Sequence, residues 1–238
     1  MGWADVARTL DIRNIALLGS GFFLALVGIC WLFILSHWHK SRPIMIVLGS
    51  GGHTAEMVAL LRGTITLGPS RAGLSTFAST PRVYIHAKTD QHSANKAHML
   101  ELDLSRHIDG RDSSSADYKV VSIPRSREVG QGYITSIFTS INATLHAIIL
   151  VLRHDPSVVL VNGPGTCVPI SLAARILSWL RARSCKIIFV ESICRACHLS
   201  LSGRLLQSLG IANKIFVQWP ELLSGTNSKT CVYAGRVF

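Results

Sequence analysis

The chain is poor in acidic residues, and its basic residues do not gather into dense runs. Its 238 residues include 24 Lys and Arg but only 13 Asp and Glu, which leaves a net charge of +11. This balance favours an anionic partner, such as an acidic membrane surface, a phosphorylated substrate or a nucleic acid. The basic residues are scattered between apolar segments, without the aromatic-basic alternation of nucleic-acid grooves, and this argues against a nucleic-acid partner.

Cysteine is also scarce, because six cysteines in a chain of this length are too few for a secreted disulfide scaffold. We therefore expect reduced, mostly buried thiols in a cytosolic domain. Cys194, Cys197 and His198 form a Cys-x-x-Cys-His segment that resembles a haem-attachment signature. No second Cys/His pair completes a zinc site, so the two cysteines are predicted to be helix-facing core residues, with no metal.

A long apolar run without charge lies near the N-terminus. From Ile15 to Leu35 the sequence reads IALLGSGFFLALVGICWLFIL, and about 20 apolar residues are enough to cross a bilayer core. The run is too long for a cleavable signal peptide. We predict a short lumenal N-terminus over residues 1–13 and a transmembrane helix over 14–38. The flanking basic residues do not decide the orientation. The expected thiols and the basic composition place residues 43–238 in the cytosol.

Short apolar runs recur along the rest of the chain, as they do in buried parallel strands. Helical patterns separate most of them, and this alternation predicts a Rossmann-like α/β domain, with helices on both faces of a parallel sheet. The predicted strands are Ile44–Leu48, Val83–Ile85, Val120–Ile123, Val158–Val161, Ile187–Val190, Ile215–Val217 and Cys231–Tyr233. Loops are predicted over Thr64–Pro81 and Ser105–Asp117, which are rich in small and polar residues.

The clearest helix is predicted from Ile134 to Leu152, where apolar residues recur on one face. This stretch is uncharged over nearly its whole length, so a second membrane span is the alternative. Its polar face, which includes Asn142 and His146, favours a helix packed on the sheet.

The loop after the first strand is a candidate ligand site, because ligands of open α/β sheets bind beyond the carboxyl ends of the strands. Before the next helix it consists of Gly49, Ser50, Gly51, Gly52, His53 and Thr54. Glycines let the backbone approach an anionic or sugar ligand, and the helix N-terminus supplies free N–H groups. Thr54 replaces the third glycine of a dinucleotide fingerprint, and no Walker loop is present. A tight turn without a ligand is the alternative.

Three further loops carry candidate groups. Arg125 and Arg127 follow the third strand and could grip a pyrophosphate or simply be solvated. The turn after the fourth strand contains Gly163, Pro164, Gly165 and Thr166. Glu191 ends the fifth strand, and Arg195 follows a turn later. The Glu191 carboxylate needs a partner if it is buried; the alternative is that it is exposed at the strand end.

His53, in the first glycine-rich loop, could act as a general base near neutral pH or could cap its helix.

Four of these segments, in this order, resemble the asparagine-linked glycosylation protein 14 family. They are LGSGGHTAE at Leu48–Glu56, IPRSREVGQ at Ile123–Gln131, NGPGTCVP at Asn162–Pro169 and VQWPEL at Val217–Leu222. The similarity runs from about Pro43 to the C-terminus, and the apolar span before it fits the family. The resemblance implies the membrane-anchoring subunit of the UDP-N-acetylglucosamine transferase of dolichol-linked oligosaccharide synthesis.

The resemblance further implies half an enzyme, similar in fold to the N-terminal, acceptor-binding half of a GT-B glycosyltransferase. A separate subunit of the asparagine-linked glycosylation protein 13 family would bind the donor UDP-GlcNAc, and no other cofactor is expected. Together they would add the second GlcNAc to GlcNAc-pyrophosphate-dolichol at the endoplasmic reticulum membrane. His53 would be the base, and Glu191 would position the sugar. The partner would dock on the C-terminal residues Tyr233, Gly235, Val237 and Phe238.

Two other functions stay open. A stand-alone membrane-bound Rossmann dehydrogenase would need the third glycine and an acidic residue about 20 residues further on to hold the ribose, and neither is evident. The other open function is that of a pure scaffold, which contributes no active-site residue.

Overall fold

The fold was analysed in a computed structural model that describes most of the chain after the N-terminal segment. The described residues are 41–66, 76–108, 117–125, 133–163, 166–224, 229–233 and 235. The predicted lumenal segment 1–13 and the predicted transmembrane helix 14–38 lie outside these residues and stay predictions. Within them, no helix is long and apolar enough to cross a membrane.

Seven strands form one parallel sheet. They are β1 (Ile44–Val47), β2 (Arg82–Ala87), β3 (Tyr118–Ile123), β4 (Val158–Asn162), β5 (Lys186–Val190), β6 (Lys214–Val217) and β7 (Cys231–Tyr233). They pair in the order β3-β2-β1-β4-β5-β6-β7, every pair parallel. The seven predicted strands are confirmed, with small shifts at their ends. Met45, Ile46 and Val47 of the central strand are fully buried, because helices cover both faces of the sheet.

Helices cover the sheet in two layers. They are α1 (Gly52–Thr66), α2 (Gln91–Ile108), α3 (Tyr133–His154), α4 (Cys167–Leu180) and α5 (Leu201–Ser208). On one face, α1 and α2 bury Met57 and Leu100. On the other face, α3, α4 and α5 bury Ala147, Ile170 and Leu206. The predicted class, an α/β domain with a parallel sheet and helices on both faces, is therefore confirmed.

Helix α3 confirms the helix predicted over Ile134–Leu152 and extends slightly beyond it. Ala143 and Val151 are fully or almost fully buried, and Val151 belongs to the core on this face of the sheet, whereas His146 is exposed. This is the packing of an amphipathic helix on a sheet, so the structure favours a packed helix over the alternative of a second membrane span.

Both predicted loops are partly helical, so their predicted bounds were wrong. Helix α1 continues to Thr66 and α2 to Ile108, whereas loops were predicted over Thr64–Pro81 and Ser105–Asp117. Leu104, near the end of α2, is buried in the core under α1 and α2. Tertiary packing of this kind extends a helix into residues whose polar composition favours a loop.

The buried guanidinium of Arg82 stabilises a further helical turn, residues 76–79, which was also predicted to be loop. Its Nη1 donates to three carbonyl oxygens in and just after this turn, at 2.8–2.9 Å. Its Nε and Nη2 donate to the two oxygens of Glu101 at 2.7 and 2.9 Å, and the Tyr84 hydroxyl donates to Glu101 at 2.6 Å. A fully hydrogen-bonded, buried ion pair thus ties β2 to α2.

A second buried carboxylate, Asp155, lies at the amino end of the sheet directly after α3. It is 3.4 Å from Arg42 and 3.5 Å from Arg181, and the guanidinium of Arg183 also donates to it. Arg42 further donates to the carbonyl oxygen of Ser184 at 2.8 Å. These contacts fix the start of the central strand to the carboxyl ends of α3 and α4.

Replacing Glu101 tests the buried ion pair. Glu101→Gln leaves the guanidinium of Arg82 buried without a counter-charge, so we expect the free energy of unfolding to fall by about 3 kcal/mol. Asp103→Asn is the matched control, because it removes a more exposed partner, that of Arg62, from the same helix; it should cost less than about 1 kcal/mol. Urea unfolding followed by circular dichroism measures both. Equal losses would contradict the role given to Glu101.

Candidate functional site

The site lies at the carboxyl edge of the sheet, where the helices that follow two neighbouring strands pass to opposite faces. The central strand β1 pairs with β2 on one side and β4 on the other. Helix α1 follows β1 onto one face of the sheet, and α4 follows β4 onto the other face. A crevice therefore opens between the loops at the carboxyl ends of β1 and β4, which is the common ligand site of open α/β sheets. Gly163 belongs to the loop after β4, and His53 lies in the first turn of α1, directly after the loop that follows β1.

Two glycines make the space that the His53 side chain occupies. A Cβ atom on Gly163 would lie 2.6 Å from Cγ of His53, and one on Gly49 would lie 2.6 Å from Cβ of His53. Gly163 also has a φ of +84°, a conformation that residues with a side chain rarely adopt. Gly49 and Gly163 were predicted to admit a ligand, but in this structure they make room for the imidazole.

The carboxylate of Glu56 binds side chains at the carboxyl ends of three strands: His53 after β1, Asn162 at the end of β4 and Ser192 after β5. Its Oε2 lies 3.2 Å from Nδ1 of His53 and accepts a hydrogen bond from Nδ2 of Asn162 at 3.1 Å. Its Oε1 accepts a hydrogen bond from the Ser192 hydroxyl at 2.7 Å. Sequence reasoning missed Glu56 as a site residue. The available signal was its position three residues after His53 at a helix start, which places both side chains on one face.

The contact with Glu56 determines which nitrogen of His53 can act as a base. A carboxylate only accepts hydrogen bonds, so the contact requires the hydrogen on Nδ1 of His53, and in the neutral ring this leaves the lone pair on Nε2. The side chain of His53 is 29% exposed, which leaves the ring within reach of a hydroxyl group from solvent or substrate. The role of general base, one of the two predicted for His53, is compatible with this arrangement and stays a prediction.

The start of α1 is open beside His53. Ser50, Gly51 and Gly52 are exposed, and a Cβ atom on either glycine would meet nothing within 4 Å. The N–H groups in the first turn of a helix have no partners within the helix, and the helix dipole favours negative charge there. These three predicted contacts are thus available to an anionic group.

Two other predicted contacts, Thr54 and Thr166, are buried. The Thr54 hydroxyl donates to the carbonyl oxygen of Gly49 and lies 2.6 Å from the Ser93 hydroxyl. The side chain of Thr54 therefore holds the first loop together and does not face the opening. Thr166 precedes α4 without capping it through its side chain.

Arg125 lies at the end of β3, close enough to influence the charge of Asp90. Burial raises the pKa of Asp90, but hydrogen bonds from the hydroxyl and amide of Ser93 and the positive charge of Arg125 outweigh it and hold this pKa below its usual value. An ionised Asp90 thus offers Arg125 a counter-charge at the rim of the sheet. Arg127, Pro164 and Gly165 were also predicted as ligand contacts and lie outside the described residues.

Glu191 is buried and has hydrogen-bond partners. Its Oε2 accepts hydrogen bonds from the amide and hydroxyl of Ser200 at 2.9 and 3.0 Å, and its Oε1 accepts one from the Ser192 amide at 3.2 Å. Burial raises its pKa, although the hydrogen bonds from Ser200 oppose this effect. The alternative of an exposed strand end is wrong. The carboxylate supports the residue that caps α5.

Comparison with known proteins identifies the family. The sequence profile described as "Oligosaccharide biosynthesis protein Alg14 like" matches residues 44–237. The chain belongs to the Alg14 family. It is 38% identical over 231 residues to "UDP-N-acetylglucosamine transferase subunit ALG14" of Mus musculus, covering 96% of this chain and 99% of that protein. It is 40% identical over 200 residues to the Homo sapiens protein of that description, covering 83% and 84%.

Among solved structures, the fold resembles MurG of Acinetobacter baumannii with a TM-score of 0.48 and 14% sequence identity. The match covers 82% of this chain and 45% of that chain.

The Alg14-like segment that contains Trp219 holds the loop after β5. The indole N–H of Trp219 donates to the carbonyl oxygen of Ile193 at 2.7 Å, and the buried Gln218 side chain donates to the carbonyl oxygen of Glu191 at 3.4 Å. Arg195, a predicted ligand contact, is exposed on this loop. The segment therefore contributes to the site indirectly: it supports the loop after β5, and that loop contributes Ser192.

The structure contradicts the prediction that Cys194 and Cys197 are helix-facing core residues. Both are exposed and lie outside any helix, in the loop that Trp219 supports. A loop held by contacts from another strand needs no apolar face of its own, so its cysteines need not be buried. In the part of the chain that the structure describes, no group of three His, Cys, Asp or Glu side chains is arranged to hold a metal.

Of the residues predicted to dock a partner, Tyr233 lies at the far edge of the sheet. Tyr233 ends the edge strand β7 and is exposed. Gly235 is described with a φ of +85°. Val237 and Phe238 lie outside the described residues.

Alanine at position 163 tests the fit between glycine and imidazole. Gly163→Ala combines an unfavourable φ with a clash against His53, whereas Gly210→Ala also has a positive φ but meets open space. We expect Gly210→Ala to cost about 1 kcal/mol of unfolding free energy. Overpacking should add about 1–3 kcal/mol for Gly163→Ala. Urea unfolding of both variants measures the difference between their free energies of unfolding. Equal losses of unfolding free energy would show that the imidazole needs no such space.

Thiol labelling tests the placement of the cysteines. Burial raises the pKa of Cys167 to about 12 and that of Cys185 to about 11. Because the thiolate is the reactive form, N-ethylmaleimide should modify Cys194 and Cys197 of the folded protein much faster than these two. Peptide mass spectrometry measures the rates, with the urea-unfolded chain as the control. Equal rates in the folded protein would contradict the described loop.

Proposed function

We propose that the chain is the membrane-anchoring, acceptor-binding subunit of a two-subunit UDP-N-acetylglucosamine transferase. The similar proteins of Mus musculus and Homo sapiens are described as subunits of a UDP-N-acetylglucosamine transferase. The observation that carries the proposal is the pair of His53 and Glu56, which lies beside the open start of α1. In this proposal, His53 is the base and the start of α1 is the anion site, both on a single Rossmann-like domain, and a donor-binding partner would complete the pocket.

In the proposed reaction, the second GlcNAc passes from UDP-GlcNAc to GlcNAc-pyrophosphate-dolichol. The 4-hydroxyl of the acceptor sugar would donate a hydrogen bond to Nε2 of His53. As its oxygen attacks the anomeric carbon of the donor, the proton moves to Nε2, the bond to UDP breaks, and the configuration inverts. Glu56 would keep the ring oriented and stabilise its protonated form, in the way a carboxylate supports histidine bases elsewhere. The step as written uses no metal.

The acceptor pyrophosphate would lie between the start of α1 and Arg125. The exposed positions of Ser50, Gly51 and Gly52 support this placement, and so does the position of Arg125 at the end of a neighbouring strand. Arg127 would contribute a second guanidinium. Because it is buried against Ser200, Glu191 is assigned a supporting role in this proposal, in place of contact with the sugar.

The proposed partner binds UDP-GlcNAc and belongs to the asparagine-linked glycosylation protein 13 family. It would dock on the C-terminal residues from Tyr233 to Phe238, and the exposure of Tyr233 at the sheet edge supports this. The proposed location is the endoplasmic reticulum membrane, with a single span over residues 14–38 and the main domain in the cytosol. The uncharged run from Ile15 to Leu35 supports that anchor.

Reconstitution of the full-length chain with the partner tests this function. Transfer to a GlcNAc-pyrophosphate-lipid acceptor should require both proteins. His53→Ala should lower kcat by about 10²- to 10⁴-fold, as loss of a general base does. Glu56→Gln should also lower it, by up to about 10⁴-fold, since that residue orients the base and stabilises its protonated form. His92→Ala is the matched control, because His92 is exposed on α2, and the rate should not change.

Three outcomes would contradict the proposal. Transfer by this chain alone would identify an independent enzyme. Normal transfer by both His53→Ala and Glu56→Gln would identify a scaffold that contributes no active-site residue. A rate lost equally in His92→Ala would show that the assay reports folding and not catalysis.

A further inference from the structure

The loop after β5 carries a pair of exposed thiols that the proposed reaction does not use. Among the described residues, Cys194 and Cys197 are exposed, whereas Cys167, Cys185 and Cys231 are buried. Exposed thiols contribute nothing to the core. In a reducing compartment, cysteines that form disulfides usually do so transiently, in catalysis or redox sensing, and a Cys-x-x-Cys pair is typical of redox chemistry. The pair is therefore a candidate redox site.

This loop is fixed at both of its ends. The carboxylate of Glu191, at the start of the loop, accepts hydrogen bonds from the amide and hydroxyl of Ser200, at its end, at 2.9 and 3.0 Å. The indole of Trp219 holds the carbonyl oxygen of Ile193 at 2.7 Å. A change of shape between the two cysteines is therefore taken up inside the loop, by the backbone next to them.

The first of the two cysteines is connected to the candidate site through a serine. The amide of Cys194 donates a hydrogen bond to the Ser192 hydroxyl at 3.3 Å, and that hydroxyl donates to Oε1 of Glu56 at 2.7 Å. The other oxygen of Glu56 lies 3.2 Å from Nδ1 of His53. A hydroxyl group rotates to suit its partners, so a displacement of the Cys194 amide changes how Ser192 supports the carboxylate that orients the imidazole.

The backbone between the two cysteines is already curved. The amide of Arg195 donates to the carbonyl oxygen of Ser192 at 3.0 Å, and the chain bends again at residues 196–198. Residues three apart in a β-turn have Cα atoms less than about 7 Å apart, and a disulfide joins Cα atoms about 4.4–6.8 Å apart. Closing this bend into a β-turn over residues 194–197 is therefore enough to join the two sulfurs.

The surroundings of the pair are basic. Arg195 lies between the two cysteines and His198 follows them directly, and both side chains are exposed. Residues 192–200 include no Asp or Glu. Local positive charge raises the rate at which an anionic reactant meets a site. A small disulfide with net negative charge, such as oxidised glutathione, matches this charge.

We propose that Cys194 and Cys197 form a reversible disulfide, with an anionic low-molecular-weight disulfide as the oxidant, and that this bond draws the amide of Cys194 away from Ser192 and lowers the transfer rate. One cysteine thiolate attacks a sulfur of oxidised glutathione, forms a mixed disulfide and releases one glutathione thiolate. The other cysteine attacks the protein sulfur of the mixed disulfide and releases the second glutathione. The protein thiols are oxidised, the glutathione disulfide is reduced to two thiols, and the protons of the protein thiols pass to the released thiolates.

The inference rests on the proposed function in one respect, because transfer is the activity that the disulfide lowers. The disulfide itself and its effect on the loop are properties of this chain alone, and they can be measured without a partner or an acceptor.

Oxidation of the full-length chain tests the redox site. In a Cys30→Ser background, Cys194 and Cys197 are the exposed thiols of the described residues. The folded chain is treated with oxidised glutathione, the remaining thiols are blocked with N-ethylmaleimide, and the peptides are identified by mass spectrometry. We expect a disulfide between the two cysteines that dithiothreitol reverses. Recovery of both cysteines as free thiols, or only as mixed disulfides with glutathione, would overturn the proposal.

The transfer rate of the same chain, reconstituted with its partner, tests the link to the site. Oxidation should lower kcat by about 2- to 10-fold, as loss of one ordinary hydrogen bond does, and dithiothreitol should restore it. Cys194→Ser and Cys197→Ser are matched controls, because each keeps its backbone amide and cannot form the disulfide. Both should keep the reduced rate in oxidised glutathione. An unchanged rate in the oxidised chain would overturn the proposal, and so would an equal loss in either control.

Amide hydrogen exchange separates failure of this inference from failure of the proposed function. It is measured by mass spectrometry on peptides of the reduced and oxidised chain, without any transfer. The amide of Cys194 should exchange faster after oxidation, because it loses the Ser192 hydroxyl as its acceptor. Unchanged exchange would overturn the inference. Faster exchange in a chain that gives no transfer with its partner would contradict the proposed function alone.

Replacing Arg195 tests the class of oxidant. Arg195→Gln should slow disulfide formation by oxidised glutathione several-fold, because it removes a positive charge beside the thiols, and should leave the rate with uncharged hydroxyethyl disulfide unchanged. N-ethylmaleimide trapping at successive times measures both rates. Rates with glutathione that are equal in the two chains would overturn the preference for an anionic oxidant.

Discussion

The candidate site depends on a single carboxylate that binds side chains at the ends of three strands. Glu56 binds His53 from its own helix, Asn162 from the end of β4 and Ser192 from the loop after β5. Each of these three side chains lies at the carboxyl end of a different strand, so the sheet sets their spacing and Glu56 sets their mutual orientation. A partly buried carboxylate with three hydrogen bonds is well satisfied, and it holds the imidazole in one orientation before any ligand arrives.

Support for the site comes largely from residues that do not line it. Gly49 and Gly163 leave room for the imidazole, and a Cβ atom on Gly203 would lie 2.7 Å from Oε2 of Glu191. Trp219, which lies just after β6, holds the loop after β5 through its hydrogen bond to Ile193. Motifs spread over the whole chain thus converge on one small region, and their distance in sequence reflects the parallel sheet that brings strand ends together.

The sheet and the location of the site could be predicted from sequence, because buried strands are continuous apolar runs and glycine-rich loops follow them. Contacts between side chains that are distant in the sequence could not be predicted in this way. Arg82 reads as an ordinary charge beside a strand, and only the fold places Glu101 against it. Glu56 reads as a helix-start residue until Asn162 and Ser192 are brought to it. Cys194 lies in a loop whose order depends on Trp219, which local patterns do not reveal.

The order of the strands also has a consequence for biosynthesis. The central strand β1 pairs with β2 on one edge, but its other edge pairs with β4, where Ile44 is aligned with Val158. That partner is made roughly 110 residues later, a delay on the order of 10 s at about 5–20 residues per second. Throughout this interval the nascent chain holds a short, wholly apolar strand with one edge unpaired. Such a segment is a natural substrate for chaperones at the ribosome exit.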